Sequence, residues 1–173
     1  MNKKAIVVYV DNIEVNIIEF SWLYKTFMMY ELYNEYDIVC YCNPNAITKI
    51  PQHENIIIKS LEPLNISGSF WEAYGFVNSF AMFNEPEEET WIRERYEYIL
   101  KTDCDVFLTK NILGYEPDKL MVGMGGYMSQ SPDTVLPNLI RIKDKLGLNY
   151  HHLNHIGAWG ILSGVIIGSI LYD

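Results

Sequence analysis

The residues best suited to chemistry are Asp103 and Asp105, a D-x-D pair directly after the predicted strand 96–100 and before the apolar run Val106-Phe107-Leu108. In an extended chain, residues two apart point to the same side, about 7 Å from each other. Two carboxylates so placed repel one another, and at a strand end both are expected to be partly desolvated. A divalent cation between or near them removes the conflict, and hard oxygen ligands favour Mg²⁺ or Mn²⁺ over zinc. In parallel sheets, ligands collect beyond the carboxyl ends of the strands, where this pair is expected to lie. D-x-D alone is common, and two solvated loop acids would read the same. The strand before the pair and the apolar run after it argue for the functional reading.

Two chemistries use such a pair. One is phosphoryl transfer through an aspartyl-phosphate, with Asp103 as nucleophile, Asp105 as acid/base and Val106 fitting the last position of D-x-D-x-[TV]. That chemistry usually carries a further acidic pair downstream, and the 68 residues after Asp105 contain none. The other is glycosyl transfer from a nucleotide sugar. There the nucleoside diphosphate gains negative charge as the sugar bond breaks, and a metal acting as Lewis acid on the phosphates stabilises it.

The elements that must position the pair follow from the apolar pattern. Residues 5–10 form a short, Val-rich apolar run, as in a buried central parallel strand. Residues 13–33 read as a long helix, with Ile13, Ile17, Phe20, Tyr24 and Phe27 on one face. Residues 37–42 and 55–60 read as the second and third strands. Residues 67–84 read as a helix capped by Ser67 or Ser69, with Phe70, Ala73, Tyr74, Val77 and Ala81 sharing a face. Glu85-Pro86 breaks it, and Glu87 to Glu89 open a short helix where the helix dipole favours acids, read as a solvated start. The alternation implies a parallel sheet with helices on its faces. Beyond the pair, residues 121–127 are a glycine-rich stretch, and residues 137–146 a helix with Pro137 in its first turn and Gly147 past its end. The uncharged run 156–172 carries Gly160, Gly164 and Gly168 four apart; it is short for a membrane span and is expected to be a buried final helix.

Composition narrows the function. The chain has 173 residues, 49% of them hydrophobic and 20% charged, which excludes a disordered chain and fits one domain. The formal net charge of −9 disfavours nucleic acid as a partner, because released counterions supply that affinity. Membrane association is not expected. Cys40, Cys42 and Cys104 form no paired spacing, so buried thiols in a reducing, cytoplasmic compartment are expected. Asp11 and Asn12 end the first apolar run too early for a signal peptide.

The segment Tyr98-Ile-Leu-Lys-Thr-Asp-Cys-Asp-Val-Phe-Leu-Thr109 resembles the D-x-D segment of GT-A glycosyltransferases, nearest to the small group that includes the glycosyltransferase encoded by chlorella viruses. The stretch Val122-Gly-Met-Gly-Gly-Tyr127 and the late His-x-Gly-x-Trp at His155 to Trp159 also resemble that group. The resemblance implies an α/β fold: a single GT-A (nucleotide-diphospho-sugar transferase) domain over residues 1–173, with a mostly parallel central sheet flanked by helices. Residues 1–109 would be the nucleotide-binding half and 110–173 the acceptor side. It implies a metal-dependent transferase, with Mn²⁺ or Mg²⁺ as cofactor, a UDP-sugar donor and a glycan or glycoprotein acceptor. Asp105 would bind the metal directly; Asp103 would bind it directly, through water, or hold the ribose. His155, with His152 next, would be the third protein ligand. Tyr9, Val10 and Asp11 would hold the base, Asn78 and Ser79 would meet the ribose or sugar, and Thr102 and Cys104 would contribute backbone contacts. Gly125 and Gly126 would let the chain pass close under the donor sugar. An inverting enzyme needs a carboxylate base, and the spacing of Asp133 and Asp144 selects neither. A non-catalytic α/β interaction module remains the reading without turnover.

Overall fold

The computed structural model describes residues 4–73 and 75–116. Residues 121–127, 137–146 and 156–172, with Gly125, Gly126, His152 and His155, lie outside the described residues.

Strands β1 (Lys4–Val10) and β2 (Tyr36–Cys42) are buried along their whole length. Their near-continuous apolar sequences are what strands covered on both faces require. β3 (Ile56–Ser60) pairs with β2, and β4 (Tyr98–Lys101) pairs with β1, giving a four-stranded, all-parallel sheet in the order β3-β2-β1-β4. The fold is α/β, with helices on both faces of the sheet. The first three strands are laid down in one direction and the fourth returns to the other side of β1, so the order reverses between β1 and β4. The two ladders of β1 differ in length. With β2 it runs to Val10↔Cys42, and with β4 it stops at Val7↔Lys101.

Period-two alternation sorts the strand side chains. Ile6, Val8, Val10, Ile38, Cys40 and Cys42 face helix α1 (Glu14–Met29), meeting its Phe20, Leu23 and Phe27. Ala5, Val7, Tyr9, Val39 and Tyr41 face the other way, onto Ala81 and Met82 of a 3₁₀ helix (Gly75–Asn84) and Ile92 of helix α2 (Pro86–Arg95). The few charged groups in the interior are paired, as burial requires. The Lys4 ammonium lies 2.9 Å from Glu35 and 3.0 Å from Glu116. Asp37 accepts hydrogen bonds from Tyr96 at 3.0 Å and Asn55 at 3.4 Å.

Four expectations about the helices need correction. Helix α1 ends at Met29, not at residue 33, because Glu31 takes a left-handed conformation (φ 54°) and the chain continues as a short 3₁₀ turn, Leu32–Asn34. Ile13, predicted on the inner face, is the exposed N-cap residue, and Leu23 takes its place in the core. Residues 67–84 are not one α-helix. Gly68 adopts positive φ, the Ser67 hydroxyl and the Gly68 N–H both bond Glu72, and Phe70 is 81% exposed. Only Gly75–Asn84 is helical, with the tighter three-residue period that turns Asn78 and Ala81 inward together. Of the acids opening α2, Glu88 is not merely solvated: it accepts from Tyr41 at 2.9 Å and pairs with Lys59.

Candidate functional site

The site forms where the strand order reverses. Asp11 follows the last residue of β1, and Thr102 and Asp103 follow the last residue of β4. In open parallel sheets this crevice, beyond the carboxyl ends of the strands, is where ligands bind. The β1–β4 ladder is the shorter of the two, so Val8 to Val10 have a ladder partner on the β2 side only.

Two consecutive residues of the 3₁₀ helix span the crevice. Asn78 is buried, and its Nδ2 donates to Asp11 Oδ2 at 2.9 Å and to Asn65 Oδ1 at 2.7 Å. Its Oδ1 accepts from the backbone N–H of Leu64 at 2.8 Å and of Asn65 at 3.2 Å. Asn78 therefore ties the loop after β3 to the end of β1. Ser79, its neighbour, donates from Oγ to Asp103 Oδ1 at 2.7 Å and accepts from Lys101 Nζ at 2.6 Å.

Lys101 is the last residue of β4. Its ammonium also donates to the Thr102 carbonyl at 2.8 Å and stands 3.7 Å from Asp103 Oδ1. Burial pushes it below the ordinary lysine value, and the neighbouring Asp103 offsets part of that shift. The Asp103 side chain is 69% exposed, so the pair adds only about 0.2–1 kcal/mol of stability and acts mainly on geometry.

The D-x-D segment is a turn at Cys104 and Asp105, not the extended chain expected. Burial nevertheless alternates: Asp103 and Asp105 are exposed, and Cys104 between them is buried against the α1 face. Both carboxylates are exposed, where the sequence pattern predicted partial desolvation. The Cys104 thiol lies near Asn16 and Glu19, and burial pushes it up to about 11.

The remaining predicted residues divide. The Tyr9 ring is buried and its hydroxyl donates to the Leu61 carbonyl at 3.1 Å, so that side chain is committed to the fold. The Val10 side chain is in the core and its carbonyl accepts from Asn43 N–H at 3.0 Å. Thr102 donates its backbone N–H to the Val7 carbonyl at 3.1 Å. The structure thus places Asp11, Asn78, Ser79, Thr102 and Asp103 at the carboxyl ends of β1 and β4, with Asp105 two residues on in the turn. Gly125, Gly126 and His155 lie outside the described residues. Among the described residues, no three His, Cys, Asp or Glu side chains cluster so that they could hold a metal ion. Lys101 and Asn65 were missed by the sequence reading. A lysine at a strand end looks solvated, and nothing local marks Asn65 as a partner of Asn78.

The fold is thus α/β with a four-stranded parallel sheet, and polar side chains gather where its strand order reverses. The chain belongs to a family described as a domain of unknown function (DUF7164), whose model matches residues 1–163. No curated protein and no solved structure matches it.

Proposed function

We propose that this chain is a metal-dependent glycosyltransferase with a GT-A domain, moving a sugar from a UDP-sugar donor to a glycan or glycoprotein acceptor. The observation that supports this reading is that consecutive residues of the 3₁₀ helix each hold an acid at a neighbouring strand end, Asn78 bonding Asp11 after β1 and Ser79 bonding Asp103 after β4. Residues 1–109 would form the donor half and 110–173 the acceptor side.

The donor atoms fit a hard divalent ion, Mn²⁺ or Mg²⁺. Such ions are commonly held by one or two carboxylates, with substrate phosphates and water completing the shell. Asp105 is the direct ligand in this reading, because Asp103 already faces Lys101 and Ser79. His155, or His152 next to it in preference, is the further protein ligand proposed. When bound, the ion would supply Lewis-acid stabilisation of the departing diphosphate. The main chain at Tyr9 and Val10, beside the shortened ladder, would meet the edge of the base. Asp11, oriented by Asn78, would accept from its imide or from the ribose. Ser79 and the Thr102–Cys104 backbone would line the diphosphate side, and Gly125 and Gly126 would pass under the sugar. Free, buried Cys40, Cys42 and Cys104 support a reducing compartment. Among the described residues no helix is long and apolar enough to cross a membrane.

Calorimetry with UDP tests the reading. Binding should require Mn²⁺ or Mg²⁺ and vanish with EDTA; equal affinity with and without the chelator would remove the metal. A melting temperature raised by beryllofluoride, and not by UDP with Mn²⁺, would favour the aspartyl-phosphate alternative. The interaction-module reading has one observation of its own: the outer face of α1 exposes Val15, Ile18, Trp22 and Met29, with Trp22 stacked on Phe107 at 5.9 Å. A module of that kind should respond to neither ligand.

A further inference from the structure

Lys101 enters the scheme above only as a neighbour of Asp103, its ammonium standing 3.7 Å from Asp103 Oδ1. Its ammonium stands 5.5 Å from the ring centroid of Phe80, the residue after Ser79 in the 3₁₀ helix. There it meets two close oxygen acceptors, Ser79 Oγ and the Thr102 carbonyl. Asp103 is reached mainly through Ser79, which accepts from Lys101 and donates to Asp103 Oδ1. Asp105 takes no part in this chain of contacts. The two acids of the pair are therefore inequivalent. One already has a cation supplied by the chain, and the other faces solvent.

We propose that Lys101 is a positioning residue. Through Ser79 it holds Asp103 as a tethered counter-ion, competes with a divalent cation for that carboxylate, and so directs the ion to Asp105. The proposal rests on the metal-dependent reading for its consequence, though not for the contact itself. Mn²⁺ near Asp103 would sit a few ångströms from a fixed positive charge and be repelled by it. Removing that charge should tighten metal binding, whereas general damage to the site would weaken it.

Two measurements test it. In metal-free protein, carbodiimide should join Lys101 to Asp103 in preference to Asp105, read by mass spectrometry as the loss of one water from a peptide left uncleaved at Lys101. Equal coupling to Asp105 would overturn the proposal whether or not the protein binds metal. In the second, Mn²⁺ alone is titrated by electron paramagnetic resonance. Lys101→Met should bind Mn²⁺ about threefold or more tighter than the parent, the effect of one unit charge near a protein surface. Lys101→Arg, which keeps the charge, should restore the parent affinity. Asp105→Asn alone should lose binding, and adding Lys101→Met to it should recover part of it through the released Asp103. Unchanged or weaker Mn²⁺ binding in Lys101→Met, with a native circular dichroism spectrum, would overturn the proposal. No Mn²⁺ uptake by any variant alongside selective coupling to Asp103 would refute the metal reading and the directing role, leaving only the contact.

Discussion

Asn78 donates to Asp11 across 2.9 Å from a fully enclosed position, and this one amide holds together the end of β1, the loop after β3 and the start of the crevice. All its polar atoms are used: Nδ2 donates twice and Oδ1 accepts twice. Asn78→Ala strands the Leu64 and Asn65 donors, at about 1–3 kcal/mol for each buried group left unpaired. Asn78→Asp keeps the two acceptor bonds but sets a carboxylate oxygen against Asp11 and Asn65 Oδ1. It should destabilise at neutral pH and recover on acidification as one carboxyl takes a proton. Urea unfolding of both variants at neutral and mildly acidic pH checks this, and a pH-independent loss in Asn78→Asp would contradict it.

Asp105→Ala should abolish donor hydrolysis while leaving the fold unchanged. The residue is exposed and has no structural partner to strand, so its stability cost should stay within about 0.5 kcal/mol. Circular dichroism and a hydrolysis screen of nucleotide sugars with Mn²⁺ measure the two halves. Retained turnover would exclude Asp105 from the mechanism.

Alkaline stability should be set by three enclosed phenols. Burial, first among the causes, pushes Tyr9, Tyr41 and Tyr96 well above the ordinary tyrosine value of 10.0. A group that holds its proton more tightly when folded stabilises the native state fully below its unfolded pKa. That contribution is lost as pH rises through the folded value. For these tyrosines the loss should begin near pH 10.0 and continue above it. Near-ultraviolet phenolate absorbance should rise in two stages, the second coinciding with unfolding. A single early stage would show that the phenols ionise in the native state.

Cys104 should resist alkylation in the folded protein. The residue is 6% exposed and burial pushes its thiol up to about 11, so little thiolate is present at mildly alkaline pH. Iodoacetamide should label Cys104 only once urea opens the chain. Rapid labelling of the native protein would mean that the turn at Cys104 and Asp105 opens on its own.

The parts of this fold legible from sequence are those with one strong cause. β1 and β2 carry the near-continuous apolar runs 5–10 and 38–42 because both faces of these strands are covered. The acidic start of α2 after Pro86 follows from the helix dipole and proline's fixed φ. What was missed depended on distant partners. The end of α1 is set by a left-handed glutamate, Glu31, where glycine is the usual signal. The helical pattern over residues 67–84 was real in hydrophobicity, but Asn78 is drawn inward by backbone donors supplied from the loop before it. Asp103 and Asp105 stand out in the sequence because two carboxylates just after a strand are chemically conspicuous. Their inequivalence was invisible, since it comes from the side chain of Ser79 on another element.

The unequal ladders of β1 have a further implication. The three residues from Val8 to Val10 project past the partner strand by roughly 10 Å, at the usual rise per residue. On the proposed reading the room beside the end of β1 is set by where its ladder with β4 stops, so lengthening that ladder by two residues should weaken donor binding.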